Sequence, residues 1–347
     1  MKNLVEYISE SHEYTHNLSK SEQDWVNYNK GKSEVQPKTK NKVQPKSKKE
    51  LIKIINDSFE KGVYDLNFID TSKITDMSWL FEYISCNFDI SNWDVSNVKD
   101  MTGMFYCCKK FDCDLSNWNV SNVTDMHALF YECNKFTGKG LEHWDMSNVT
   151  KADHMFYKCK TFNCDLSNWD VSKVKNMNEM FSDCDDFDCD LSNWDVSNVT
   201  TMNNMFDGCD NFKAKGLENW NVSSVKSTKR MFNACSKFDC DLSSWDVSNM
   251  TNMSGMFGGC WNWTGKSIEN WDVSNAKDMS YMFQFCYDLD CDLSSWDVSS
   301  VTNMRDMFDE CERLKCDLSS WNVSNVLDMR GMFTHCNKLT IPAWYTE

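Results

Sequence analysis

From residue 68 onward the chain repeats one phrase of apolar and polar positions. DCDLSNWDVSNVTTMNNMFDGC at 188–209 is echoed by DCDLSSWDVSNMTNMSGMFGGC at 239–260 and DCDLSNWNVSNVTDMHALFYEC at 112–133. Trp93, Trp118, Trp144, Trp169, Trp194, Trp220, Trp245, Trp271, Trp296 and Trp321 mark a period of 25 or 26 residues. A degenerate first copy, DLNFIDTSKITDMSWLF, has Phe68 in the Trp position. Leu or Ile stands three residues before each Trp (Leu115, Leu191, Ile268), and Val or Met two after it (Val120, Val196, Met146). The i, i+2 spacing puts Trp and that second residue on one side of an extended chain and the residue between them on the other. Further on, apolar positions fall as at Val199, Met202, Met205 and Phe206. Those offsets predict a short helix or 3-10 turn with one buried face. Ser three residues after every Trp, as at Ser96, Ser197 and Ser324, is placed to cap that turn through its hydroxyl.

The fold class that follows is a repeat solenoid of leucine-rich-repeat type, with a short parallel strand and a short helix or 3-10 turn in each 25–26-residue coil. No copy can bury its own core. Stacked in register, each copy buries one Trp and one Phe, each contributing about 2–3 kcal/mol. Leu51, Ile52, Ile54, Ile55 and Phe59, ending at Lys61-Gly62, predict a helical N-cap, since the first coil would otherwise leave its core edge wet. The organisation expected is therefore an N-terminal segment at 1–29, with Leu4, Val5 and Ile8 at helical spacing; a Lys-rich disordered linker at 30–50; the capping helix and lead-in at 51–67; the array at 68–340; and a tail at 341–347. The linker carries eight Lys, a tandem Val-Gln-Pro-Lys and no aromatic residue, too little apolar surface to offset the entropy of ordering it.

Charge narrows the partners. The 347-residue chain carries −16, but residues 1–50 hold ten Lys against seven Asp or Glu, net +3, which leaves −19 for the remainder. The array is thus a poor partner for nucleic acid or an anionic membrane, while the Lys run suits either a solvated spacer or an acidic partner. The opening MKNLVEYISESHEYTHNLSK has no apolar run of signal-peptide type, and no later stretch approaches the roughly 18 apolar residues of a membrane span. Neither a signal peptide nor a transmembrane segment is expected, and synthesis in a cytoplasm is.

Candidate chemistry comes next. One series of cysteines, Cys108, Cys133, Cys159, Cys184, Cys209, Cys235, Cys260, Cys286, Cys311 and Cys336, lies three residues after the Phe of each turn. A second, Cys113, Cys164, Cys189, Cys240, Cys291 and Cys316, completes six C-x4-C units. Buried free thiols filling a narrow corner are one reading; disulfides within the units are another, which a reducing cytoplasm disfavours. Zinc fits least, because no regular second ligand pair and no His accompany the units. No nucleophile–base pair or phosphate loop appears, and no catalytic residue, metal site or cofactor is expected.

Two features offer binding surface. Directly after the Trp run Asp94, Asn119, Asp145, Asp170, Asp195, Asn221, Asp246, Asp272, Asp297 and Asn322, an outward column. Its carboxylates on adjacent coils need hydrogen bonds from neighbouring Ser and Asn, or a cationic or carbohydrate partner. Three copies, GKGLEHW at 138–144, AKGLENW at 214–220 and GKSIENW at 265–271, gain a residue, lose the second Cys and bring in Lys139, Glu142, Lys215, Glu218, Lys266 and Glu269. Such irregular copies either carry binding residues or record drift in a tolerant loop.

The phrase LSNWDVSNVTxMxxMFxxC resembles the repeat of BspA-like bacterial surface proteins, in the branch known as a mycoplasmal domain of unknown function. The resemblance spans about residues 50–340 and includes the N-terminal boundary DLNFIDTSKITDMSWLF. It implies a leucine-rich-repeat-like solenoid with a role in adhesion or protein binding, and no catalysis. Two residues after Phe111, Phe162 and Phe187 this sequence has Cys where that family more often has Gln, and it departs from the family in lacking the usual secretion signals. The first ten residues, with Glu6, Tyr7, Ile8 and Glu10, resemble the capsid-targeting peptide of internal proteins of T-even-type tailed phages. That resemblance implies processing after Glu10 and carriage in a virion; a simple start helix is the plainer reading. The expected function is a non-catalytic module binding a protein or glycan through the acidic strand face. The alternative is a structural or packaged virion component docking through its N-terminal arm.

Overall fold

The computed structural model describes residues 42–346. Helix α1, Lys48–Glu60, comes first. Ser47 caps it by accepting the Glu50 N–H, and the Glu50 carboxylate reaches back to accept the Lys46 N–H at 2.8 Å, so side chains satisfy donors around the first turn. Leu51, Ile55 and Ser58 are its buried residues, on the i, i+4 and i, i+3 spacing of one helix face. The helix starts three residues before Leu51, inside the segment expected to be a disordered linker. Val43 pairs in parallel with Ile69, Pro45 is buried, and Lys48 meets Asp76 at 2.9 Å. A Lys-rich composition predicts disorder only where no surface receives the chain, and the acidic first coil receives this one. The candidate processing site Glu10 and the rest of residues 1–41 lie outside the described residues.

Beyond α1 the chain is a repeat protein whose copies stack in register. Among the described residues there is no sheet; adjacent copies pair through isolated parallel bridges such as Asp76↔Asp100, Asp100↔Asp125, Asn176↔Thr201 and Asn303↔Asp328. The expected strand at each Trp forms no continuous backbone ladder, only isolated bonds such as that from the Leu115 N–H to the Lys139 carbonyl at 3.0 Å. Trp118 and Val120 are buried and Asn119 exposed, as the alternation predicts, but neighbours are joined there by side chains. Indole Nε1 of Trp194 donates to the Leu166 carbonyl at 3.0 Å and that of Trp245 to Leu217 at 2.8 Å. Asn122 Nδ2 donates to the Ser96 carbonyl at 2.7 Å and Asn198 Nδ2 to Ser172 at 2.9 Å. Trp144 breaks the rule, its buried indole nitrogen having no partner.

The continuous backbone ladder lies instead in the Met-x-x-Met-Phe segment, where a short helix or 3-10 turn was expected. Met126, Ala128, Phe130 and Glu132 donate their N–H groups to carbonyls of Lys151, Asp153, Met155 and Tyr157 in the next copy, at 2.7–3.0 Å. Leu129, Tyr131 and Cys133 donate three residues back within their own copy. That alternation needs left-handed residues at Ala128 (φ 52) and Glu132 (φ 55), and each later copy repeats the pair four residues apart. A helix would aim every N–H along its own axis and leave the next copy without donors. Among the described residues, regular 3-10 helices form only at Leu141–His143 and Leu217–Asn219, in two of the lengthened copies.

The core is continuous. Phe105, Phe130, Phe156 and Phe181 stack with centroids 5.2, 5.6 and 5.5 Å apart. Phe111, Phe136, Phe162 and Phe187 form a second column beside them. No cysteine is in a disulfide, and each thiol of the first series donates to the Phe carbonyl of the preceding copy, as Cys184 does to Phe156 at 3.0 Å. The stack also outlasts the expected boundary at 340. Trp344 donates to the Leu318 carbonyl at 2.9 Å and lies 6.5 Å from Trp321, one more rung where a tail was expected. No helix among the described residues is long and apolar enough to cross a membrane.

A left-handed Ala carries a penalty that Gly does not, about 1 kcal/mol. Ala234 (φ 57) stands in the column where neighbouring copies have Gly208 and Gly259. Ala234→Gly should raise the urea midpoint, whereas Ala152→Gly, buried and outside the left-handed set, should lower it. Equal losses in both would contradict the backbone described.

Candidate functional site

The Asp column predicted as a binding face is exposed and consists of local caps. Asp94, Asp145, Asp170, Asp195, Asp246, Asp272 and Asp297 each accept the backbone N–H of the Ser two residues on, at 3.0–3.1 Å. The roles expected for Asp and Ser are thus reversed: the carboxylate caps, and Ser supplies the donor. Hydrogen bonds from Ser172, Ser197, Ser248 and Ser299 hold the carboxyls of Asp170, Asp195, Asp246 and Asp297 below the usual range.

The lengthened copies are also tied into the coil. Lys139 pairs with Asp114 at 2.7 Å and Lys215 with Asp190 at 2.6 Å. Glu142 and Glu218 accept the N–H of Gly140 and Gly216 at 2.9 Å, closing the two 3-10 turns. Gly140 and Gly216 are left-handed, and a Cβ on either would strike the preceding coil at Ser116 or Ser192. Lys266 is exposed and Glu269 half-buried in the third lengthened copy. None of these thirteen residues lines the cleft described next.

The cleft belongs to a face that the sequence reading passed over. In each turn the residues between Met and Met, and between Phe and Cys, point away from the core. They differ in every copy: Ser78-Trp79 and Glu82-Tyr83, then Thr102-Gly103 and Tyr106-Cys107, His127-Ala128 and Tyr131-Glu132, Asp153-His154 and Tyr157-Lys158. The two residues after each Cys of the first series differ as well, as in Lys109-Lys110, Asp185-Asp186 and Trp261-Asn262, while the phrase around each Trp scarcely changes. Aligning the copies and asking where they disagree would have found this face from sequence alone.

At the α1 end this face is aromatic. Tyr106, Tyr131 and Tyr157 stack 4.4 and 4.5 Å apart, Tyr83 meets Tyr106 edge-on at 5.7 Å, and Trp79 lies 5.6 Å from Tyr106. Trp79 covers Gly103, where a Cβ would fall 2.4 Å from the indole, so that glycine makes room for the ring. Trp79, Glu82, Tyr83, Tyr106, His127, Ala128, Tyr131, His154 and Glu179 line a cleft of about 400 Å³.

Charges are organised around the rings. Burial raises the Glu82 carboxyl and pushes the Tyr106 hydroxyl up to about 12. Glu132 is held between Lys109 at 3.7 Å and Lys158 at 3.8 Å, and Lys158 lies over the Tyr157 ring. Burial works against the Asp153 charge, but hydrogen bonds with His127 and His154 outweigh it and hold the carboxyl well below the usual range. The same bond to Asp153 raises His127. Farther along the face, burial and the nearby Asp207 raise the Asp183 carboxyl.

Two outcomes follow. Asp195→Ala, which removes a cap, should cost about 1 kcal/mol, and Asp195→Asn about a few tenths, because Asn119, Asn221 and Asn322 make the same bond; urea midpoints check both. Asp183, with its folded value above the unfolded one of about 3.9, stabilises most below that pH and loses its contribution as pH rises through the folded value. Asp183→Asn should therefore match the parent at pH 3.5 and exceed it at pH 7 by under about 1 kcal/mol, in paired thermal melts.

Comparison with known proteins gave one kind of match. A search of the curated proteins and a search of the solved structures each returned no match. One family's model, described as a Mycoplasma protein of unknown function, DUF285, matches at residues 50–167, 134–238, 190–264 and 251–347. The four overlapping matches take in the whole array, and the chain belongs to the DUF285 family.

Proposed function

We propose that the chain is a non-catalytic binding module: a solenoid of leucine-rich-repeat type that takes a protein or glycan ligand on the face of its Met-x-x-Met-Phe turns. The observation that carries this reading is the cluster of Trp79, Tyr83, Tyr106 and Tyr131 that lines a cleft of about 400 Å³ on that face. Outward residues elsewhere are tied up in building the coil, Asp in caps and Asn in bonds to the neighbouring copy. The turn face joins its copies chiefly through a backbone ladder, and its side chains differ from copy to copy. The resemblance to BspA-like surface proteins points the same way, toward adhesion or protein binding.

The aromatic cleft is the anchor. Trp and Tyr supply large contact area with few rotors and dominate binding surfaces for that reason. Glu82 and Glu179 on its walls, with residues 51–347 carrying −19, favour a ligand that brings cationic groups.

The test uses the full chain on a glycan array and against a displayed peptide library. Tyr106→Ala/Tyr131→Ala should weaken binding by about tenfold or more, while Asp195→Asn/Asp246→Asn, which keeps the caps, should not. The reverse pattern would return recognition to the Asp column. Loss only on deleting residues 1–41 would support docking through the N-terminal arm.

A further inference from the structure

We propose that His127, Asp153 and His154 form a binding site for a divalent transition-metal ion of the zinc class, beside the aromatic cleft. The donor atoms of the three residues lie within 4.8 Å of one another. Nδ1 of His127 is 2.7 Å and Nδ1 of His154 3.3 Å from the same oxygen, Oδ2 of Asp153. Imidazole nitrogen and carboxylate oxygen both bind zinc at about 2.0–2.2 Å, which sets two ligands of a tetrahedral ion about 3.3 Å apart. A small rotation of His127 away from Asp153 opens that space. The site stands whether or not the cleft takes a macromolecular ligand.

The backbone ladder fixes the register of these groups. His127 and Asp153 occupy equivalent places in adjacent copies, and His154 follows Asp153 in the left-handed position (φ 58). Ala128 donates to the Asp153 carbonyl at 3.0 Å and His154 to that of Asn178 at 2.9 Å, so both copies are pinned beside the site. Ala128 fills the left-handed position that is Trp79 and Arg230 in other copies, and its small side chain leaves room beside the two rings. The chain has six His, and only these two occupy the pair of turn positions between Met and Met. In the sequence they are 27 residues apart, which is why no ligand spacing was visible there.

A second observation concerns the other nitrogen of His154. Nε2 lies 3.5 Å from Oε2 of Glu179, contributed by the third copy. A carboxylate on the far nitrogen of a metal-bound His fixes its tautomer and orientation. When an ion binds, each Nδ1 presents its lone pair, the ring proton resides on Nε2, and the Nε2–H of His154 donates to Glu179. Three protein ligands leave a fourth position, and since His127 and His154 line the cleft that position faces it, open to water or to a donor from a bound partner.

The test is titration of the chelator-stripped full chain with zinc by calorimetry, repeated with cobalt(II) as an absorbing probe. One ion per chain is expected, with a cobalt spectrum lacking the sulfur-to-metal charge-transfer band of thiolate ligation. Glu179→Gln should weaken binding about 10–100-fold, and His127→Ala and His154→Ala by more, while Cys107→Ser leaves it unchanged. Asp153→Asn provides a fourth test should either Ala variant fail to fold. No binding to the parent chain would overturn the proposal. So would a thiolate band, or binding that survives in the folded His and Asp153 variants.

Discussion

Every second amide along the Met-x-x-Met-Phe turn must point at the next copy, and the rest of the molecule is arranged around that requirement. A regular helix cannot meet it, and a plain strand would not turn the corner between Met and Cys. Two left-handed residues per copy do both, as Ala128 and Glu132 show. The cost recurs in each copy at about 1 kcal/mol for every non-glycine residue so placed. What offsets it is burial along the column: Phe105, Phe130 and Phe156, together with the Met and Cys that flank them, are fully buried. A single copy would carry the strain without the neighbour that relieves it.

Around each Trp the backbone groups of adjacent copies are joined mainly through side chains, which accounts for the near-identity of the Trp phrase better than core packing does. Val, Ile or Leu would serve as filler at many positions. Only indole reaches from Trp194 to the Leu166 carbonyl while filling the same space, and only an amide reaches from Asn198 to Ser172. Each such bond spans 26 to 28 residues of sequence, so one altered copy disturbs the copy it leans on. The Cys thiols follow the same logic. Cys184 donates to Phe156 from a fully buried position, and burial pushes its thiol well above the usual range, which leaves it a small weak donor and not a nucleophile.

How much of this was legible in the sequence depended on which property the pattern reports. Apolar periodicity reports which side chains are buried, and it placed Trp, Val, Met and Phe correctly. It does not report where an amide points: the offsets of Val199, Met202, Met205 and Phe206 suit a helix and a turn broken by left-handed residues equally well. Glycine held the missing information. Gly103, Gly208, Gly255, Gly259 and Gly331 all fall in the two left-handed columns, a bias no helix would produce. The Asp column misled for a related reason. Exposure and charge are visible in sequence, but the Ser two residues on, already donating to each carboxylate, is recognisable only once the local turn is known. Trp344 was missed because a partial copy carries one anchor and none of the phrase around it.

The division between fixed and variable positions is a division of labour in hydrogen bonding. Where side chains hold copies together, their identity cannot drift. Where a backbone ladder does most of that joining, side chains vary, and eleven successive turns from Trp79 to Gly331 carry different chemistry at the same two left-handed places. The face accordingly changes character along its length, from the Trp79 and Tyr106 cluster through Glu179 and Asp183 to Gly255 and Gly259, and on to Arg305 and Arg330. Because each copy touches only its neighbours, these stretches act independently in stability. His127, Asp153, His154 and Glu179 are linked across three copies by hydrogen bonds and charge, as Glu132 is to Lys109 and Lys158. At that place the outward side chains are committed to one another.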